Sequence, residues 1–506
     1  MDGTYPPLWQ TQFSTELQQQ AATCQRCRQL YKDYQERFDK PGSGLHVSHR
    51  TPLDLALVCP LCEFIYSVSK REGINNPALR FEEVGSTQPL LDRVNDVETV
   101  SKVTWHGLSV KGSKACIAPI LGIGSASAND GALSGRFLKS ELDLNLLRSW
   151  TSLCESHHGA KCRSPPFDEI HAQAIKLRMV DLEQNCVVAA PPHCRYAALS
   201  YVWGEGDRLL LMSSTSGTLE KPGGLSGQHC SIPRTFSEAM ILARQLGFTY
   251  LWIDALCIMQ DDTVELGKQL SSMDRVYGCA ALTIVSDASS IHVGIPGVRA
   301  QSRKPEQLQY RGQHIKLLAL QNGPFSDLNL SPWSRRAWTF QEEVLSKSVL
   351  VLAHDQAYYL CRSAVYREDL VCESTELSVV PADLGSMKKA ERWQFRQVEQ
   401  DFDKDELFLH RLELFTKRNL TYKGDALNAF AGVIASLFPC HFGLPKHLFA
   451  EAILWTFKLR STIGARNTNF PSWSWAGWNF GKTGVVGGSW FMPRHAFHYQ
   501  EAPQTM

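Results

Sequence analysis

Residues Ile232–Cys257 read IPRTFSEAMILARQLGFTYLWIDALC, and the two halves of this stretch carry different hydrophobic periods. Phe236, Ala239, Met240 and Ala243 recur at helical spacing, so one apolar stripe faces a core. Pro233 marks a helix start, Thr235 and Glu238 have the spacing of a capping box, and Gly247 supplies a C-terminal stop. The run "YLWI" from Tyr250 is then a short buried strand with Asp254 at its C-terminal end. A helix of this length running straight into an apolar strand is the repeating unit of a parallel sheet.

The unit recurs on both sides. "YAALSYVW" from Tyr196 is a strand that ends at Gly204, and a helix from Asp262 to Gly278 leads into "AALTIV" from Ala280. "RRAWTFQEEVLS", Arg335–Ser346, reads as an amphipathic helix followed by "SVLVLAH" and, past a turn at Asp355, by "AYYLC". The expected fold is therefore α/β, with a mostly parallel sheet covered on both faces. Ligands of such sheets bind beyond the carboxyl ends of the strands, where Gly204 and Asp254 fall. Three regions follow: a cysteine-containing segment, 1–165; the strand-helix domain, 166–365; and a mainly helical region, 366–506. The first includes the Gly/Ser-rich "GIGSASANDGALSG" from Gly122, read as a mobile loop, and the last includes "FPSWSWAGW" from Phe470, whose alternation suits a strand with one buried face.

Composition narrows the function. With 43% hydrophobic and 20% charged residues, the 506-residue chain has ample apolar surface for more than one core. Its 52 Lys+Arg against 51 Asp+Glu leave a formal charge of +1, so no whole-protein field favours nucleic acid. Apolar runs such as "YLWIDALCIM" are about half the length a membrane span needs. The N-terminus has no basic segment followed by an apolar one, which points to an intracellular, cytoplasmic protein. Fifteen cysteines are then expected as reduced thiols, metal ligands or core residues.

"YAALSYVWG", "IPRTFSEAMILARQLGFTYLWIDALCIMQDD", "MDRVYGCAALTIVSDAS" with "GIPGVR", and "SPWSRRAWTFQEEVLS" resemble, in order, the signature blocks of the fungal heterokaryon-incompatibility (HET) domain. "RNLTYKGDALNAFAGV", "FGLPKHLFAEAILW" and "FPSWSWAGW" resemble segments common in the same proteins. The resemblance implies non-self recognition and regulated cell death, with self-association or other HET or TIR-like proteins as partners. It also implies remote kinship with the Toll/interleukin-receptor (TIR) domain, a flavodoxin-like fold some of whose members cleave NAD. TIR domains commonly carry a tryptophan and, four residues later, a glutamate on a helix beside the nucleotide site. Trp338 and Glu342 have that spacing. The resemblance thus makes Glu342 the candidate catalytic residue, with NAD as substrate. A module that signals by assembly alone is the competing reading.

Each candidate has a plainer role beside the functional one. Glu342 either stabilises a ribosyl cation or pairs with Arg335 or Arg336, while Glu343, about 100° around the helix, is expected to be solvated. Asp254 either binds a ribose or caps a loop; Tyr201 and Trp203 either stack on a base or pack the core. Trp338 belongs with the substrate residues, and Gly204 allows backbone to approach a phosphate. No GxGxxG, GxxxxGK[ST] or G-x-S-x-G pattern supports a dehydrogenase, a P-loop enzyme or an acyl transferase. Cys257, with His292 or His354 as base, reads better as a buried inert thiol.

Cys24-x-x-Cys27 and Cys59-x-x-Cys62 have the spacing of a structural zinc site, with His46 and His49 as substitute ligands; the alternative is two helices with packed cysteines. Cys154, His158 and Cys162 form a second, incomplete cluster, for which Cys194 is the best fourth donor on sequence grounds.

Overall fold

The apolar runs found in the sequence form an eight-stranded sheet in the computed structural model. The structure describes residues 8–25, 27–28, 31–32, 59–71, 79–86, 104–110, 116–119, 134–227, 230–320, 331–371, 373, 403–453, 456–457, 466–478 and 485–486. The strands are β1 (Arg178–Asp181), β2 (Cys186–Ala189), β3 (Tyr196–Ser200), β4 (Tyr250–Trp252), β5 (Leu282–Ser286), β6 (Ser348–Leu352), β7 (Ala357–Cys361) and β8 (Val365–Arg367). Their spatial order is β8-β7-β6-β5-β3-β4-β1-β2. Every residue of β3, β5, β6 and β7 is buried, as strands covered on both faces require.

Only the centre is parallel: β6, β5, β3 and β4 run together, and the flanking pairs are antiparallel. The expectation of a mostly parallel sheet is met at its heart and corrected at its edges. The reason is connection length, since the links at 353–356 and 182–185 are far too short for a crossover and force an antiparallel return. In chain order the parallel strands are first β3, second β4, third β5 and fourth β6, arranged fourth-third-first-second across the sheet. The order reverses between β3 and β5.

The helices around this sheet are α1 (Leu144–His157), α2 (Arg234–Gln245), α3 (Thr263–Leu270), α4 (Met273–Cys279), α5 (Trp338–Leu345), α6 (Lys404–Thr416) and α7 (Asn428–Ala435). On α2, Phe236, Ala239, Met240 and Ala243 are buried and Gly247 has a φ of +87°, as the sequence indicates. The capping box does not form. Thr235 Oγ1 donates to Ser290 O, and the fully buried Glu238 accepts the Ile295 amide and pairs with Arg234 and Arg299. Glu238 thereby holds the "GIPGVR" turn in place. A Cβ on Gly294 would come 2.5 Å from the Glu238 carboxylate, so the motif's first glycine is a packing requirement.

The single helix expected over 262–278 is two. Asp262 caps α3 by accepting the Val264 and Glu265 amides, and α4 continues through Gly278 to Cys279. "SWSW" is not a strand either. Ser474 caps a 3-10 turn, Trp475–Gly477, and Trp475 is buried against Phe415 and Phe430.

In the N-terminal region, helices Leu8–Ala21 and Pro60–Arg71 share a separate core. Strands Leu79–Ser86, Thr104–Val110 and Cys116–Pro119 join Lys316–Ala319 and Gln309–Arg311 in a five-stranded sheet, so the middle of the chain supplies two of its strands. Glu16 locks the two together by accepting from Tyr310 Oη (2.6 Å) and the His314 amide (2.8 Å). His46, His49 and residues 122–133 of the glycine-rich loop lie outside the described residues.

The C-terminal region forms a layer over α5. Phe340 packs on Phe415 and Phe430, from α6 and α7. Glu343, expected in solvent, is buried in an ion pair with Arg418 at 2.6 Å, because this layer covers the face that sequence alone leaves open. Arg418 also donates to Thr339 Oγ1 and Arg336 O, and its guanidinium stacks over Phe340. Arg418→Ala would strand a buried carboxylate, at a cost of about 3–5 kcal/mol in denaturant unfolding. Arg418→Met combined with Glu343→Leu should recover most of that loss. An equal loss in both would assign the effect to packing instead.

Candidate functional site

The ends of β3 and β4 and the helices α4 and α5 converge on a buried polar cluster. Ser200, the last residue of β3, donates from Oγ to Glu342 Oε2 and accepts from Trp333 Nε1 at 2.7 Å. Glu342 lies on α5 and is 6% exposed. Asp254 follows β4; its Oδ1 accepts from Tyr201 Oη and from the Ala255 amide, and its Oδ2 accepts from Trp203 Nε1 at 2.9 Å. Arg336 donates to Tyr201 O and lies close enough to lower the cost of ionising both acids. Tyr277 of α4 bonds Leu199 O and also contacts Glu342.

Glu342 is held in place from two directions. Its backbone carbonyl accepts from Ser346 Oγ, which is 2.6 Å from Thr283 Oγ1 on β5. The helix end is therefore pinned to the sheet and the side chain aims at β3. Burial pushes the Glu342 carboxyl up to about 7, against the opposing pull of the Ser200 hydrogen bond and the Arg336 charge; the nearby Asp254 adds to the rise. Burial also raises Asp254, against the Tyr201 and Trp203 bonds. Two carboxyls with interacting charges thus share one desolvated site, an arrangement characteristic of functional clusters.

The loop after β3 covers the point where the strand order reverses. Gly204 and Gly206 have φ of +71° and +104°, and a Cβ on Gly204 would lie 2.3 Å from Ser290 Cβ, on the loop after β5. Only glycine fits at 204. Arg208 returns over the Trp203 ring and donates to Gly204 O, closing the loop on itself. Two cavities, of about 250 and 510 Å3, open elsewhere, and neither is lined by Asp254 or Glu342.

Of the candidate residues, Tyr201, Trp203, Asp254 and Glu342 are brought together, with Gly204 beside them. Trp338 stands apart from their hydrogen bonds: its indole bonds Asp425, and it packs between the main core and the C-terminal layer, one turn away from the carboxylate. Ser200, Tyr277 and Trp333 are members that sequence reasoning missed, whereas Arg336 was named there as a partner for Glu342. Ser200 carried a faint signal, as a hydroxyl ending an otherwise apolar strand. Cys257 is fully buried, and burial pushes its thiol up to about 12, which suits a packed residue and not a nucleophile. His292 and His354 are exposed.

The paired N-terminal cysteines also meet. Cys27 Sγ is 3.4 Å from Cys59 Sγ and 3.5 Å from Cys62 Sγ, Cys24 Sγ is 3.8 Å from Cys62 Sγ, and all four sulfurs lie within 4.8 Å of one another. Four thiolates about 2.3 Å from a tetrahedral zinc stand about 3.8 Å apart, so the set fits that ion.

Residues 196–342 match the family profile described as heterokaryon incompatibility protein (HET), a stretch that runs from the first residue of β3 to Glu342 itself. Over 106 residues the chain is 35% identical to heterokaryon incompatibility protein 6, OR allele, of Neurospora crassa; the alignment covers 20% of this chain and 15% of that protein. No solved structure matches the chain significantly. No described helix is long and apolar enough to cross a membrane.

The raised Glu342 carboxyl has a consequence for stability. A carboxyl at 4.5 when unfolded and about 7 when folded binds its proton more tightly in the native state. Its contribution is complete below pH 4.5 and is lost as pH rises through 7, a change of about 3 kcal/mol. Thermal melts of the native chain should therefore lose stability between pH 5 and 8, and Glu342→Gln should flatten that slope. Parallel slopes in the two proteins would contradict the assignment.

Proposed function

We propose, for a chain whose residues 196–342 are a HET domain, a role in fungal incompatibility and cell death, exerted in the cytoplasm by hydrolysis of NAD. The observation that carries this reading is the meeting of Glu342 with Asp254 and Tyr201 across the strand ends. The strand reversal between β3 and β5 supports a flavodoxin-like, TIR-like core, since such sheets take nucleotides at that point.

In the proposed reaction the bond between ribose C1′ and the nicotinamide nitrogen breaks, and its electron pair leaves with nicotinamide. The pyridinium is already cationic, so the leaving group needs no acid. The ribosyl centre becomes oxocarbenium-like, water adds to C1′, and a proton is released with ADP-ribose. Glu342 as carboxylate stabilises the developing cation in a water-poor site, and Asp254 accepts from a ribose hydroxyl. Glu342 is buried in the structure described, so substrate access requires the site to open, and the Trp203–Arg208 loop, which holds Asp254 through Trp203, is the segment proposed to move. Self-association, or docking of another HET or TIR-like domain, is the proposed trigger.

The same burial favours a second reading, an interaction module that never exposes Glu342. Nicotinamide release from NAD, followed across a protein-concentration series, separates the two. An enzyme turns over with a rate per chain that climbs as chains assemble, rises with pH through about 7 as Glu342 ionises, and falls at least 100-fold in folded Glu342→Gln. Absence of turnover at every concentration would leave the interaction module.

We also propose that Cys24, Cys27, Cys59 and Cys62 hold a structural zinc that supplies no chemistry to the reaction. Cys59→Ser should lower the zinc content of the purified chain by about one equivalent and melt the N-terminal core first. Unchanged zinc content in that variant would remove the proposal.

A further inference from the structure

A second set of soft donors meets inside the strand-helix domain. Cys154 lies in the last turn of α1, His158 is its C-terminal cap, Cys162 ends the short helix Gly159–Cys162, and Cys361 is the last residue of β7. The spacing Cys-x3-His-x3-Cys is helical and is not a CxxC signature, and the last ligand lies about 200 residues downstream. All four side chains are buried, and one ligand atom from each lies within 4.8 Å of all the others. The fourth member is Cys361. Cys194, the best donor on sequence grounds, is half-buried beside the cavity lined by Phe167 and His193.

We propose that Cys154, His158, Cys162 and Cys361 form a closed Cys3His zinc site that ties α1 to the β7 edge of the central sheet. The donor chemistry selects the metal class: three sulfurs and an imidazole suit zinc and exclude the hard cations magnesium and calcium. The surroundings are built for thiolates. The amides of Ser363 and Ala364 point at Cys361 Sγ at 3.4 and 3.2 Å, Ser348 Oγ lies 3.6 Å from Cys154 Sγ, and Ser363 Oγ lies 3.5 Å from Cys162 Sγ. The two amides donate to one ligand sulfur and the two serine hydroxyls touch two more, which is the supporting shell that orients a metal site.

The histidine argues against a plain packed core. His158 Nδ1 is 3.2 Å from Cys361 Sγ, while Nε2 is buried with no hydrogen-bond partner. Packing alone does not justify sinking an imidazole among three thiols, whereas a cation bound at Nδ1 rewards it; Nε2 stays unpartnered in either case. A disulfide would employ two of the three sulfurs and leave the third and the imidazole unexplained. Tyr366 stacks on the imidazole, and Trp150 stacks on Tyr366, so the ring is clamped in the orientation that aims Nδ1 inward.

The position also matters. Ser348 opens β6, and two residues earlier Ser346 fastens the end of α5 through Glu342 O and Thr283. A metal at Cys154 therefore braces the segment that directly follows the Glu342 helix. Loss of the ion is expected to loosen that segment before the rest of the sheet.

The test is metal content of the purified full-length chain, by mass spectrometry, beside a Cys24→Ser/Cys27→Ser variant that disables the N-terminal cluster. The variant should retain about one zinc, adding Cys361→Ser should abolish it, and adding His158→Cys should preserve it as a four-thiolate site. Cobalt substitution supplies a readout independent of folding yield: intense visible bands in the cysteine variant, and stronger thiolate charge transfer after His158→Cys. A folded Cys24→Ser/Cys27→Ser variant with under about a tenth of an equivalent of zinc overturns the site. If that variant does not fold, a cobalt spectrum of the otherwise native chain left unchanged by His158→Cys overturns it equally. Because the N-terminal cysteines are removed first, failure of this site is distinguishable from failure of the other.

Discussion

Two adjacent glutamates buried on one short helix constrain much of this molecule. Consecutive helical residues diverge by about 100°, so Glu342 and Glu343 cannot be satisfied by the same surface. Glu342 turns to the sheet, where Ser200 donates to it and Arg336 supplies positive charge; Glu343 turns to the C-terminal layer, where Arg418 pairs with it. The α5 helix is thus a wedge between two layers, each of which must bring its own partner. The C-terminal segment "RNLTYKGD" brings the second partner: its Arg418 and Asn419 bind the backbone at Arg335–Ala337 and the side chains of the helix that carries the candidate carboxylate.

The strand-helix core was largely legible in the sequence because its signals are local. Runs such as "YAALS" and "SVLVL" are buried on both faces and read as strands without tertiary knowledge, and the Gly247 stop and the position of Asp254 follow from the same periodicity. The antiparallel edges were not read, although the brevity of the 353–356 link held the clue. Glu238 was misread for a different reason. Its spacing from Thr235 suits a cap, but a buried turn 57 residues away competes for the carboxylate and wins. Glu343 was misread in the same way, since the layer that claims it comes from the C-terminal region, and Trp338 is shared between that layer and the main core.

The cysteines divide along the same line. Two CxxC pairs announce themselves because each pair is local, and the four sulfurs do meet. Cys361 is invisible to any spacing rule: it lies in the sheet and joins Cys154, His158 and Cys162 only once β7 has packed on α1. Both clusters sit where separate parts of the chain must be held together. One lies between the two N-terminal helices, and the other lies between α1 and the sheet beside α5.

The functional account stands on a carboxyl whose proton affinity is set by its surroundings. A glutamate that titrates near neutrality beside Asp254 is suited to chemistry at a ribose, and an ordinary glutamate would be only a packing residue. The most direct measurement is a carboxyl titration by 13C NMR of the glutamate-labelled chain, with Glu342 identified by its absence in Glu342→Gln. The account predicts an inflection near pH 7 for that resonance. Titration near 4.5, as for a solvated glutamate, would contradict it and return Glu342 to the role of a packed helical residue.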